Sequence, residues 1–384
     1  MQKKITLKFD NYMKPKIIAF YLPQYHPTPH NSEWWGEGFT EWTNVAKAKS
    51  LFPGHYQPKI PADLGFYDLR LSEVRAKQAQ LAKEAGVTAF CYYHYWFGNG
   101  QEELELPFKE VVRLGEPDFP FMLCWANESW YKKFWNNDGA VVDKKCLADQ
   151  VYPGEHDDIE HFNSLLSAFK DPRYLKINGK LPFMIYKPLA FPEISRFIKL
   201  WQNLALQNDL PGFCFMGFTY LPEQEGEIIL QKGLDYVVSC RKNRNYIHNL
   251  SWAIRKLFSI VFHLPRITDY RKLWPTLITD KERKNEKYIP TMMPNWDHTP
   301  RSGINGDLFT NSTPEEFEKH CVDVLEGIVN KKNNICFIKS WNEWGEGNYM
   351  EPDMKYGHGY INALKNALNR VVNKNRYNVK SCNR

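Results

Sequence analysis

The chain has 384 residues, 43% of them hydrophobic and 24% charged. That composition excludes a disordered, collagen-like or disulfide-scaffold protein and suffices for a large buried core. The formal charge is +6, yet residues 241–287 hold twelve Lys/Arg against four Asp/Glu and residues 365–384 hold six against none. The remainder is acidic, which argues for local contact with something anionic and against a nucleic-acid-binding surface.

In chain order, eight short apolar runs predict buried parallel strands: 16–22, 87–96, 119–126, 181–187, 213–220, 234–240, 288–296 and 334–341. Helical spacing falls between them at 71–85, 157–170, 191–207, 313–330 and 357–372. Thr313-Pro314-Glu315-Glu316 supplies a capping hydroxyl, a proline and first-turn acids. This alternation predicts an α/β fold, a (β/α)8 TIM-type barrel with elaborated βα loops. A doubly wound sheet is the alternative, but no glycine-rich dinucleotide fingerprint follows the first strand. The expected organisation is one domain over 1–384, with a basic insertion at about 241–287 and a basic tail at about 365–384.

The first sixteen residues lack the apolar stretch of a signal peptide, and no window approaches the roughly 18 apolar residues of a spanning helix. Cys91, Cys124, Cys214, Cys240 and Cys336 lie in apolar runs without CxxC spacing, which points to reduced thiols and a cytoplasmic protein. Ile247, Leu250, Ile254, Leu257, Phe258, Val261 and Leu264 form a periodic stripe, with Arg255, Lys256, His263 and Arg266 off it. Such a stripe packs on the barrel or, as a basic amphipathic helix, makes the protein membrane-peripheral on an anionic surface.

The chain holds 13 Trp, 21 Tyr and 24 Phe. Cores favour aliphatic residues, so this load predicts rings lining a cleft. Barrel chemistry sits just after the strands, and there aromatics stand beside amides, carboxylates and imidazoles. Candidate contacts are Tyr21, Gln24, His26, Tyr93, His94, Trp96, Trp125, Asn127, Glu128, Trp130, Tyr186, Lys187, Trp296, Asp297, Trp341, Asn342, Trp344, Tyr349 and Glu351. Trp35, Glu37, Glu41 and Trp42 add a candidate subsite in the first βα loop. Sugars need this mixture, because hydroxyls take paired hydrogen bonds and pyranose C–H faces stack on flat rings. The plainer alternatives are packed histidines and an aromatic-anchored surface loop.

Glu343 and Glu346 follow the last strand at i,i+3 spacing, which puts them on one side of a tight turn. Glycoside hydrolysis uses such a carboxyl pair, one cycling its proton and one acting as nucleophile or base. Flanking by Trp341 and Trp344 favours a raised pKa for the acid member; an ordinary acidic helix start is the alternative. Asn127-Glu128 is the rival carboxylate, read as substrate-binding. Neither HExxH, a paired-Cys motif, an EF-hand, a P-loop nor Asp-x-Asp is present, so no metal and no cofactor are expected.

FYLPQYHP (20–27), WWGEGFTEWTNV (34–45), GHYQPKIPADLGFYDLR (54–70), CWANESW (124–130), SWNEWGEGNYMEPD (340–353) and KYGHGYINAL (355–364) together resemble the WbsX-type proteins of bacterial surface-polysaccharide biosynthesis. That group, labelled both glycosyltransferase and hydrolase-like, is related to glycoside hydrolase family 99, whose members are (β/α)8 endo-α-mannosidases. They retain configuration without a metal through a 1,2-anhydro sugar. The resemblance implies that Glu343 deprotonates the sugar 2-hydroxyl and Glu346 serves as acid, then base. This chain has Trp344-Gly345 where family 99 commonly places His between the two glutamates, so individual substrate contacts do not transfer.

The expected function is a retaining glycosidase or transglycosylase acting on a mannose-like residue of a surface polysaccharide or its lipid-linked precursor. The alternatives are a glycosyltransferase of O-antigen or capsule assembly and a non-catalytic carbohydrate-binding protein.

Overall fold

The computed structural model describes residues 14–135, 141–241 and 264–382. At its centre eight parallel strands close into a ring: β1 (Lys16–Tyr21), β2 (Ala89–Gly98), β3 (Phe121–Trp125), β4 (Leu181–Ile185), β5 (Phe213–Thr219), β6 (Tyr236–Ser239), β7 (Tyr288–Met292) and β8 (Ile335–Ile338). Ile18 of β1 stands opposite Ala89 of β2 on one side and Phe337 of β8 on the other, which closes the barrel. Every anticipated run holds a strand, because strands covered on both faces read as nearly continuous apolar sequence.

Outside the ring lie α1 (Pro29–Trp35), α2 (Glu41–Lys47), α3 (Ser72–Ala85), α4 (Leu106–Leu114), α5 (Glu155–Lys170), α6 (Ile194–Gln207), α7 (Pro222–Gln231), α8 (Pro314–Ile328) and α9 (Gly359–Cys382). The five expected helices are α3, α5, α6, α8 and α9. The four others are only 7–10 residues long, too short for periodicity to reveal. Their signals are local: Thr28 and Thr40 cap α1 and α2, and prolines begin α1, α4 and α7. The first βα loop carries α1 and α2, and the third carries an antiparallel hairpin of Trp130–Trp135 with Val141–Ala148.

The aromatic load is spent differently from expectation. Phe183, Phe197, Trp201 and Phe213 pack between β4, β5 and α6, with centroids of neighbouring rings 4.5–5.6 Å apart. Phe20 fills the barrel interior against Tyr93, Phe218 and Phe337 at 5.3–5.7 Å. Rings therefore build much of the core, and only a subset reaches the cleft. Cys91, Cys124, Cys214, Cys240 and Cys336 are buried thiols. No helix among the described residues is long and apolar enough to cross a membrane. The stripe from Ile247 to Val261 lies outside the described residues. Arg241 is buried against Glu223 and Glu282, at 2.7 and 2.6 Å.

Three histidines are sealed in the shell. His94 Nε2 meets His161 Nε2 at 2.8 Å, and His320 Nδ1 meets the Tyr270 hydroxyl at 2.8 Å. Burial lowers His94 and His320 to about 3 and His161 well below its ordinary value. A depressed folded-state pKa contributes stability that is present above about pH 6.5 and lost as pH falls. Burial raises Glu343 and Glu351 to about 7, so between pH 7 and 4.5 those two carboxyls gain stability on acidification and offset most of the loss. Unfolding midpoints in urea should therefore change little from pH 7 to 5. They should then fall steeply below 4.5, at about 1.4 kcal/mol per histidine per pH unit. A steep loss already between pH 7 and 5 would show that the carboxyls do not offset the histidines.

Candidate functional site

The polypeptide leaving β8 is pinned before it delivers any acid. Trp341 N donates to Phe20 O at 2.7 Å. The Asn342 amide then brackets Leu22, accepting from its N–H at 2.7 Å and donating to its carbonyl at 3.0 Å. Tyr25 Oη donates to Asn342 O at 2.7 Å and accepts from Trp344 N at 2.9 Å. The chain turns through a 3-10 turn, Trp344–Glu346, which ends at Gly347 with φ of 59°. A side chain at Gly347 would also overlap the Lys59 ammonium. The Trp344 ring stacks on Tyr349 at 3.7 Å and its indole N–H donates to Glu351 at 2.7 Å. This short, fixed turn presents Glu343 and Glu346 to one cavity of about 800 Å³ at the C-terminal mouth of the barrel.

Both carboxylates meet the same cation. Arg301 Nη2 donates to Glu343 Oε1 at 2.7 Å and Nη1 to Glu346 Oε1 at 2.8 Å. Arg301 Nε also donates to Glu41 Oε2, from the first turn of α2, at 3.1 Å. Gly345 makes that third contact feasible, because a Cβ there would overlap the Glu41 carboxylate. Arg301 rides on a helical turn, Thr299–Ser302, held by Asp297. Asp297 accepts from Thr299 N at 3.1 Å, Thr299 Oγ1 at 2.6 Å, His55 Nε2 at 3.0 Å and Gln57 Nε2 at 2.7 Å. Its own N–H donates to Glu346 O at 2.6 Å. Burial works against the Asp297 charge, but Lys59, His55 and Thr299 hold its carboxyl well below the usual range.

The electrostatics set Glu343 apart. It is 4% exposed. Burial is the largest influence on it and, with Glu346 and Glu41, outweighs Arg301 and Lys339 to push its pKa up to about 7. A carboxyl so placed exchanges its proton near neutrality, as a general acid or a general base requires; the raised value falls on Glu343, not on the acid member where the flanking tryptophans predict it. The cavity wall adds Gln24, Asn44, Lys47, Glu128, Ser129 and Lys339 as polar groups. Flat or apolar surface comes from Trp35, Phe39, Tyr93, Tyr95, Trp130, Tyr131, Leu147 and Tyr186. Trp35 is 41% exposed at the rim.

Of the candidates read from sequence, Gln24, Trp35, Glu41, Tyr93, Glu128, Trp130, Tyr186, Glu343 and Glu346 line this cavity. The others do not, and each has a structural occupation or a different position. Tyr21 points outward and donates to Gln78 at 2.6 Å. His94 and Trp96 face α5, where the Trp96 indole donates to Asp157 at 3.0 Å. Trp125 is buried and donates to Trp96 O at 2.8 Å. His26 is buried against Pro23 O at 3.0 Å. Glu37 is exposed between α1 and α2, and Trp42 packs on Tyr25 and Tyr67 while donating to Tyr67 O.

Asn127 is consumed in tying the third and fourth loops, donating to Tyr152 Oη and Lys187 O and accepting from Lys187 N. Lys187 reaches Glu128 at 3.4 Å. Trp296, Trp341, Asn342, Trp344 and Tyr349 are buried in or near the turn that carries Glu343 and Glu346. Glu351 is a core carboxyl receiving Tyr67, Gln78 and Trp344 at 2.7–2.9 Å. Asp297 is an anchor for Arg301 and for the turn. Arg301, Lys339, Phe39 and Tyr131 also line the cavity but are not among the candidates read from the sequence. Among the described residues no group of three or more His, Cys, Asp or Glu is arranged to hold a metal ion.

A sequence profile described as glycosyltransferase WbsX matches residues 17–364. Two relatives, each called uncharacterized protein WxcX, come from Xanthomonas campestris pv. campestris and its strain B100. They are 33% and 34% identical over 369 residues, 95% of this chain and 51% of theirs. The chain thus spans about half the length of the curated relatives it matches. Among solved structures, a glycoside hydrolase-like protein superposes with a TM-score of 0.59 at 15% identity, covering 94% of this chain and 95% of the other. The GH99 endo-alpha-mannosidase from Bacteroides thetaiotaomicron gives 0.56 at 16% identity, covering 94% and 97%. At such identities the likeness concerns the fold, and it matches the closed (β/α)8 barrel.

Proposed function

The chain belongs to the WbsX glycosyltransferase family, and on that premise we propose a carbohydrate-active enzyme that cleaves or transfers a glycosidic bond with retention. Its substrate is a surface polysaccharide or lipid-linked oligosaccharide with a mannose-like residue at the cleavage point. One observation carries the reading: Glu343 and Glu346 share a single aromatic-walled cavity and a single guanidinium, at 2.7 and 2.8 Å. Glu343, more enclosed and raised to about 7, acts as base toward the sugar 2-hydroxyl. Glu346 protonates the leaving oxygen and then activates the acceptor. Trp35, Trp130, Tyr95 and Tyr186 provide stacking and edge contacts, and Gln24, Glu128 and Ser129 meet hydroxyls. Contact with an anionic membrane through the basic segments is a further part of this reading.

Two acids from one short turn reach the same edge of a sugar ring more naturally than they straddle it. Retention should therefore pass through a 1,2-anhydro sugar and require a free 2-hydroxyl. A 2-deoxy substrate should bind and stay intact, and NMR of the first-formed product should show the starting anomeric configuration. Inversion, or a glycosyl ester trapped on either glutamate, would overturn the assignment.

The family's description favours a second reading, a glycosyltransferase assembling O-antigen or capsule. Calorimetric titration with nucleotide sugars and with lipid-linked sugars separates the two, since hydrolase-like chemistry predicts no affinity for nucleotide sugars.

A further inference from the structure

Lys339 follows β8 directly and lines the cavity with Glu343 and Glu346. Its side chain is 3% exposed. The ammonium donates one hydrogen bond, to Tyr93 Oη at 3.2 Å, and lies 5.8 and 5.9 Å from the ring centroids of Tyr93 and Tyr186, near the limit of cation–π attraction. Among the described residues no carboxylate stands within ion-pair range of it. The contrast with Arg301, which holds three carboxylates, is sharp. Burial disfavours the Lys339 charge, but the field of Tyr186, Glu346 and Glu343 keeps its pKa above the ordinary lysine value. The group is therefore an ammonium at neutral pH with two donors left over.

A buried ammonium whose single hydrogen bond goes to one phenol leaves two donors unmet, which is costly, and the cost rises when a ligand expels water from the cavity. Reading a sugar hydroxyl needs no charge, since an amide or another hydroxyl suffices. An anionic oxygen group on the ligand would use the spare donors in charge-assisted hydrogen bonds, about twice as strong as neutral ones. We propose that Lys339 recognises an anionic oxygen substituent, a carboxylate or phosphate ester, on the sugar held beside Glu343 and Glu346. This rests on the reading of the cavity as a sugar site and narrows its substrate to acidic or phosphorylated sugars.

The test is calorimetry on the full chain with mannose, mannuronate and mannose 6-phosphate, repeated on Lys339→Met and Lys339→Arg. The native protein should bind at least one of the anionic sugars about tenfold or more tightly than mannose. Lys339→Met should lose that preference while still binding mannose, and Lys339→Arg should retain most of it. Preference for mannuronate alone identifies a carboxylate, and for the phosphate alone a phosphoryl group. Equal affinity for neutral and anionic sugars, or an unchanged preference in Lys339→Met, overturns the role of Lys339 and leaves the sugar site standing. No binding of any of the three by the native protein overturns both.

Discussion

Replacing Glu346 with Gln is expected to lower kcat by about 10²–10⁴ for a substrate with a poor leaving group, the range general acid catalysis supplies. Gln keeps the shape and can still accept from Arg301 Nη1, now 2.8 Å from Glu346 Oε1, so the loss should come without unfolding. An activated aryl glycoside, whose leaving group needs no proton, should recover most of the rate. Glu343→Gln should be equally damaging and should not be rescued, because the base is needed whatever departs. The pH profile separates the two roles again. As the proposed base, Glu343 acts only when deprotonated, and burial pushes its pKa up to about 7, so the native rate should fall about tenfold per pH unit below that point. Full activity in Glu346→Gln, or rescue of Glu343→Gln by the activated substrate, would refute the assignment.

Removing Arg301 should have the largest effect on stability. Its guanidinium is the shared cation of Glu41, Glu343 and Glu346, at 3.1, 2.7 and 2.8 Å. Arg301→Met leaves enclosed carboxylates without that partner, a change worth about 3–5 kcal/mol when a buried pair is broken. Among the influences on Glu343, Arg301 is the largest that lowers its pKa, so in the variant the pKa rises further. A carboxyl with a raised folded-state pKa is destabilising while ionised, and that penalty fades as pH falls through the raised value. The gap in urea midpoint between native and variant should therefore be widest near pH 8 and narrow toward pH 5. A gap independent of pH would mean that lost packing, and not uncompensated charge, is the cause.

How far the sequence reaches is clearest along β2. The reading took Tyr93, His94 and Trp96 together as cleft residues, but side chains on a strand alternate between faces. Tyr93 and Tyr95 line the cavity, while His94 and Trp96 face His161 and Asp157 on α5. Period two was available in the sequence and would have halved the list. The eight strands were legible because doubly buried strands are apolar throughout. The turn of the candidate site was legible because its acids follow the last of them. Arg301 was not: it sits in a polar loop, and its role arises from partners 42, 45 and 260 positions away. Lys339 had a signal that went unread, a charge at the end of the apolar run Ile335–Ile338, where a lysine is rarely buried without a reason.

The clasp between Asn342 and Leu22 joins positions 320 residues apart. At about 5–20 residues per second, a ribosome needs roughly fifteen to sixty seconds to deliver the second after the first. Until β8 is made, β1 has at most β2 beside it, so an unfinished ring carries exposed strand edges prone to pairing with other chains. The acids of the candidate site arrive with the strand that closes the ring. A nascent chain thus completes its candidate site and loses its sticky edges in the same step, and truncation anywhere before about residue 350 should yield an aggregating product.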